Sequence, residues 1–81
     1  MTQRAFCFRL RREDDTVTQW LAYQAIEFDG RMIRIVLADA VCPEIVQGEM
    51  LQLETEAAVV PVVLRRVIDD EVIVLSLLDE G

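Results

Sequence analysis

Residues 58 to 78, AVVPVVLRRVIDDEVIVLSLL, constrain this chain more than any other stretch. Val59, Val60, Val62, Val63, Val67, Ile68, Val72, Ile73 and Val74 are β-branched. Branching at Cβ stiffens χ1 and suits a pleated surface better than a helix. The two runs flank Asp69-Asp70, which reads as a tight hairpin turn. A loop of those two residues sets Val67 opposite Val72, Leu64 opposite Leu75 and Val62 opposite Leu77. One face then carries Val62, Leu64, Ile68, Ile73, Leu75 and Leu77, and the other Val63, Val67, Val72, Val74 and Leu78. A half-exposed antiparallel pair alternates apolar and polar. This one is apolar on both faces, broken only by Arg65, Arg66 and Ser76. It therefore belongs inside a closed barrel or beneath a second chain. Pro61 cannot donate to a ladder and points to an edge or a strand start, against one unbroken strand from Val59 to Ile68.

A chain of 81 residues has room for one domain, spanning residues 1–81. Small domains bury a low fraction of their surface, yet 53% of these residues are apolar. The surplus points to a homo-oligomer interface, expected at Val63, Val67, Val72 and Val74.

The net charge is −7, and all 8 cations are arginine. An acidic chain repels nucleic acid and anionic membrane as a whole. The charge is uneven: Arg4, Arg9, Arg11 and Arg12 precede every one of the 15 acids. Cys7 and Cys42 are too few for a disulfide scaffold. With no histidine and no CxxC, no zinc site is expected, and the two thiols read as small packed hydrophobes. The first residues carry arginines without an apolar core of the signal-peptide kind. No run approaches the ~20 apolar residues of a membrane span. The expectation is a cytoplasmic protein without membrane insertion.

Along the chain, Arg4 to Arg12 alternates, with Phe6, Phe8 and Leu10 on one face and Cys7, Arg9 and Arg11 on the other. Those arginines suit an anion, because guanidinium presents a planar fork of donors. They equally suit a strand face paired with the chain's own carboxylates. Small β-barrels that bind single-stranded nucleic acid place aromatics on a basic sheet face. Here ring and cation fall on opposite faces, so nucleic acid is not expected.

Glu13-Asp14-Asp15-Thr16 is a polar break, and residues 17–28 admit two readings. As a strand, they run into Asp29-Gly30, a strong hairpin signal. That turn sets Ile26 against Ile33, Gln24 against Ile35 and Ala22 against Leu37, with Glu27 diagonal to Arg34. As a helix, Thr16 caps and Gln19 completes a capping box. Val17, Trp20, Leu21, Ala25 and Phe28 then form the buried stripe. The hairpin is the reading adopted. Arg31 to Leu37 is a strand. Pro43 to Gln47 suits one helical turn, with Pro at its first position and Gly48 ending it. Glu49 to Thr55 alternates again as a strand, and Asp79-Glu80-Gly81 is an acidic tail.

No acid–base set is visible. There is no histidine, and the acids cluster at turns and the end. Asp69-Asp70-Glu71 lacks the spaced ligands of a calcium loop. Ser76 has no base to activate it. Cys42-Pro43 has no partner base, so packing is its expected role. No enzyme activity and no cofactor are expected.

The back half resembles the back half of PilZ domains, small bacterial β-barrels that often bind cyclic di-GMP. The similar parts are Ile45 to Leu53 (IVQGEMLQL), Val62 to Val67 with Arg65-Arg66, and Val72 to Leu78. The family's RxxxR and (D/N)xSxxG motifs are absent: Phe8 follows Arg4 by four residues, Glu13 follows Arg9, and Asp39 is followed by Ala40-Val41-Cys42. The resemblance thus implies a degenerate adaptor that does not bind the nucleotide.

The expected fold is all-β, a small antiparallel barrel or roll of about five strands with one helical turn near Pro43. The alternative is α+β with a helix over 17–28. The expected function is a non-catalytic interaction module, a homo-oligomer or an adaptor with a protein partner. The alternative is a regulatory domain that binds a nucleotide or phosphate through Arg9, Arg11, Arg12, Arg65 and Arg66. It requires the first strand to pair near the last hairpin.

Overall fold

A computed structural model of the chain describes residues 6–39 and 42–78. Six antiparallel strands form a closed barrel: β1 (Cys7–Arg12), β2 (Leu21–Asp29), β3 (Met32–Leu37), β4 (Met50–Glu54), β5 (Val59–Ile68) and β6 (Val72–Leu77). Around the barrel the order is β1-β2-β3-β6-β5-β4, with β4 closing on β1. The all-β expectation holds, and residues 21–29 take the strand reading rather than the helix. Arg4 and the acidic tail lie outside the described residues.

The interior follows from period-2 alternation. Phe8 and Leu10 of β1, Ile33 and Ile35 of β3, Leu51 and Leu53 of β4, Val62 and Leu64 of β5, and Ile73 and Leu75 of β6 are all buried. Leu21 and Leu37 complete the core. Phe8 is its one fully buried aromatic. A barrel this narrow is filled by side chains and leaves no lumen.

Three turns decide which residues point inward. The first hairpin turns on Gly30-Arg31, not Asp29-Gly30, because Asp29 pairs with Met32. Gly30 takes φ +62 and Arg31 keeps an ordinary negative φ. Glycine at the first central position of a two-residue hairpin loop accepts that conformation without a Cβ penalty. The expected loop would have placed Asp29 there instead. The shift pairs Ile26 with Ile35 and Glu27 directly with Arg34.

The last hairpin does turn on Asp69-Asp70, at φ 53 and 56. Ile68 O accepts from Glu71 N at 2.9 Å. Beyond it, however, Ile68 pairs with Val72 and Val67 with Ile73. A register shift between Leu64 and Arg66 then restores Leu64 opposite Leu75 and Val62 opposite Leu77. That β-bulge turns Arg65 and Arg66 both outward and swaps the expected places of Val67 and Ile68. Val67 packs against the core.

No helical turn forms at Pro43; residues 42–46 carry no regular structure. The chain reverses one step later. Glu49 N donates to Val46 O at 3.0 Å, and Gly48 takes φ +89 at the third position of that turn. Positive φ there is the requirement of a type II turn, which glycine meets.

Pro61 sits inside the unbroken ten-residue β5. In an antiparallel strand the N and C=O of one residue share a side. Pro61 O accepts from Leu78 N, just past the end of β6. The missing N–H therefore falls beyond the last residue of β6 and removes no ladder bond.

The turn glycine and the turn aspartates make opposite predictions. No atom lies within 4 Å of a Cβ placed on Gly30. Gly30→Ala should therefore cost about 1 kcal/mol through backbone conformation alone. Asp70→Gly should raise stability by a similar amount. Denaturant midpoints that shift in opposite directions at constant m-value are the expected result.

Candidate functional site

The sequence-predicted arginines fall on separate parts of the barrel. Arg9 and Arg11 point outward from β1 toward β4, where Arg9 is directly opposite Glu54. Arg9 Nε donates to Glu54 Oε1 at 2.7 Å, and Arg11 Nε donates to Oε2 at 2.7 Å. Glu54 is 8% exposed, on the outer surface but covered by the two arginine stems. Its carboxyl is held below the usual carboxylate range, first by the hydrogen bond from Arg11 and then by that from Arg9. The same hydrogen bond holds the Arg11 guanidinium above its ordinary value. Arg9 also lies over Trp20, with Cζ 4.8 Å from the ring centre. Arg12 pairs with Glu49 at 3.4 Å and donates to Glu44 O. Bidentate recognition of phosphate uses a free guanidinium edge. Both Nε edges at this site are already turned to Glu54.

Arg65 and Arg66 lie elsewhere. Arg65 Nε donates to Ser76 Oγ at 2.8 Å, which satisfies the buried Ser76 hydroxyl. The first strand pairs with β2 and β4, not with the last hairpin, so β4 separates the two arginine clusters. The geometry that would bring all five into one pocket is not the one adopted.

The thiols do not meet as a disulfide; Cys7 and Cys42 are both free. Cys42 packs against the core, and burial, with a smaller contribution from Asp70, pushes its thiol up. A lowered thiol pKa at Pro43 is therefore not found. Among the described residues, no three His, Cys, Asp or Glu side chains come together as a metal site.

The outer surface of β2, β3, β6 and β5 has an order that the strand register sets. One level carries Ala25, Val36, Val72 and Ile68, each opposite the next. The next level carries Glu27, Arg34, Val74 and Arg66. A third carries Asp29, Met32, Ser76 and Val63, with Met50 of β4 beyond. An apolar row thus lies beside a charged row. Val36, Val72, Val74 and Ile68 are half-buried although they point away from the core. Of the expected interface residues, Val63, Val72 and Val74 lie on this surface. Val67 does not, because the bulge at Arg65 turns it inward with Ile73. Ile68 takes its place.

Glu54 was the functional-looking residue that local pattern could not single out. Its partners lie 43 and 45 residues away. Compared with protein-family models, with curated proteins and with solved structures, the chain matches none. The PilZ resemblance thus rests on strand and glycine patterning alone.

The Glu54 clamp predicts an acid-dependent loss of stability. A carboxylate with a depressed folded pKa stabilises above its unfolded value near 4.3. That contribution disappears as pH falls through the lower folded value. Glu54→Gln should cost about 1–2 kcal/mol at pH 7, discounted for the partly exposed arginines. Thermal unfolding should show the gap between the two proteins narrowing at pH 3, with equal gaps at both pH values counting against the clamp.

Proposed function

We propose that this barrel is a non-catalytic protein-interaction module that self-associates through the outer surface of β3, β6 and β5. The observation that carries the reading is the row Ala25, Val36, Val72 and Ile68. It is four apolar side chains at one level, on the solvent side of a sheet whose other side is already the core. An antiparallel sheet with one face on the core ordinarily turns polar residues to water on the other. A contiguous apolar surface rimmed by charge is the usual anatomy of a docking site. The high apolar fraction of the chain, 53%, supports the same reading, because a narrow barrel cannot enclose all of it.

Anion binding through the arginines has less support. Arg9 and Arg11 direct their Nε donors at Glu54, and Arg65 directs its Nε at Ser76.

Sedimentation equilibrium over a range of concentrations should give a mass rising from monomer to dimer. Val72→Asp and Val74→Asp should shift that equilibrium to monomer with unchanged circular dichroism. Gln52→Asp, at an exposed outward position of β4, should leave it unaffected. A wild-type monomer at every concentration would remove the proposal.

A further inference from the structure

We propose that the association is an isologous dimer whose two-fold axis runs parallel to the strands, between β3 and β6, and pairs Glu27 of one copy with Arg66 of the other. The inference rests on the self-association reading above and specifies the partner surface. An axis in that position exchanges β3 with β6 and β2 with β5, level by level, as a two-fold must. At the apolar level, Val36 meets Val72 of the second copy, and Ala25 meets Ile68. At the charged level, Arg34 meets Val74, and each Glu27 meets an Arg66. Two opposite-charge pairs form, related by symmetry.

Other axes through the charged row place like charges directly opposite each other. An axis along β6 through Val74 sets Arg34 against Arg66. An axis across the strands at the charged level sets Arg34 against Arg34 and Arg66 against Arg66. Juxtaposed like charges at an interface are costly, so among axes through the charged row the order of charges favours the one between β3 and β6.

The curvature of the barrel agrees with this arrangement. Strands lie about 4.8 Å apart, so β3 and β6 form the crest, and Glu27 and Arg66 stand about 7 Å to either side. The short valines occupy the crest, where two copies approach closely. Glu27 and Arg66 stand on the flanks, where the surfaces diverge and a longer reach is needed, while Arg34 on the crest faces the small Val74. Glu27, Arg34 and Arg66 are exposed and form no ion pair among the described residues. A shallow depression of 270 Å³ lies between them over Val74, with room for the Arg34 stem of the second copy.

The test uses the full chain in three forms: wild type, E27R and R66E. Both substitutions are at exposed positions, and thermal melts confirm that each variant folds. Each variant alone places two like-charge pairs across the axis and should dimerise at least about tenfold more weakly than wild type. Mixed together, they form two opposite-charge pairs, and native mass spectrometry should show the heterodimer in excess over either homodimer. Wild-type dimerisation by each variant alone, or a statistical mixture of dimers, would overturn the axis and leave self-association standing. A monomeric wild type would overturn both.

Discussion

The carboxylate of Glu54 lies where the barrel must close upon its first strand. β1 is held on one side by β4 and, among the described residues, on the other by two strand pairs with β2, Cys7–Ala22 and Phe8–Leu21, with Tyr23 N donating to Phe6 O just before them. The remainder of that second side is filled by residues of the following turn. Arg11 bridges to Val17, and Thr18 N donates to Leu10 O at 3.0 Å. Closure thus depends heavily on the β1–β4 ladder, across which Glu54 holds Arg9 and Arg11. Phe8 and Leu10 reach the core only if that ladder forms. The clamp is a polar interaction on the outside of the barrel that keeps two apolar side chains inside it.

Contacts of this kind join residues more than forty positions apart. Loop closure must be paid in entropy before they return any stabilisation. The β5–β6 hairpin escapes most of that cost, since only Asp69 to Glu71 separate its paired ends and its strands are β-branched. Local pairing there, extended by β3 and β4 on either side, offers a sheet onto which β1 docks. If folding follows that order, the Glu54 clamp forms late and its loss should speed unfolding more than it slows folding.

Much of this was legible in the sequence. Alternation put Phe8 with Leu10 and Leu64 with Leu75 on common faces, and all four are buried, although Phe6, grouped with Phe8, is exposed. The errors share one cause: register is set by backbone conformation at single residues, which local pattern reports weakly. Asp-Gly suggested a loop one residue early, because the preference of aspartate for a turn does not say which turn position it takes. Pro43 and Gly48 bracketed a segment that looked helical, yet the glycine was serving a type II turn. The Arg65-Arg66 doublet did hold a signal. Two adjacent charges in an otherwise apolar strand cannot both face a core, so one of them marks an extra residue. Reading the doublet as a bulge moves Val67 inward and Ile68 outward without any further assumption. Glu54, one of 15 acids, had no comparable mark.

The bulge also explains how a hairpin with two apolar faces can serve two purposes. Without it, Val67 would share the outer surface with Val72, and Ile68 would compete for the core. With it, the inner face is completed by Val67 and Ile73, and the outer face gains Ile68 beside Val72. The two arginines it turns outward then have different tasks. Arg65 satisfies Ser76, a hydroxyl that would otherwise be buried without a partner. Arg66 stays exposed at the level of Glu27, Arg34 and Val74. A surface of valine alone would bind many apolar partners in many registers. Charges placed at fixed levels beside it cost little in water and penalise every register but those that match. The same extra residue therefore packs the core, seats a buried hydroxyl and, in the proposed dimer, would give the apolar surface a means of choosing its partner.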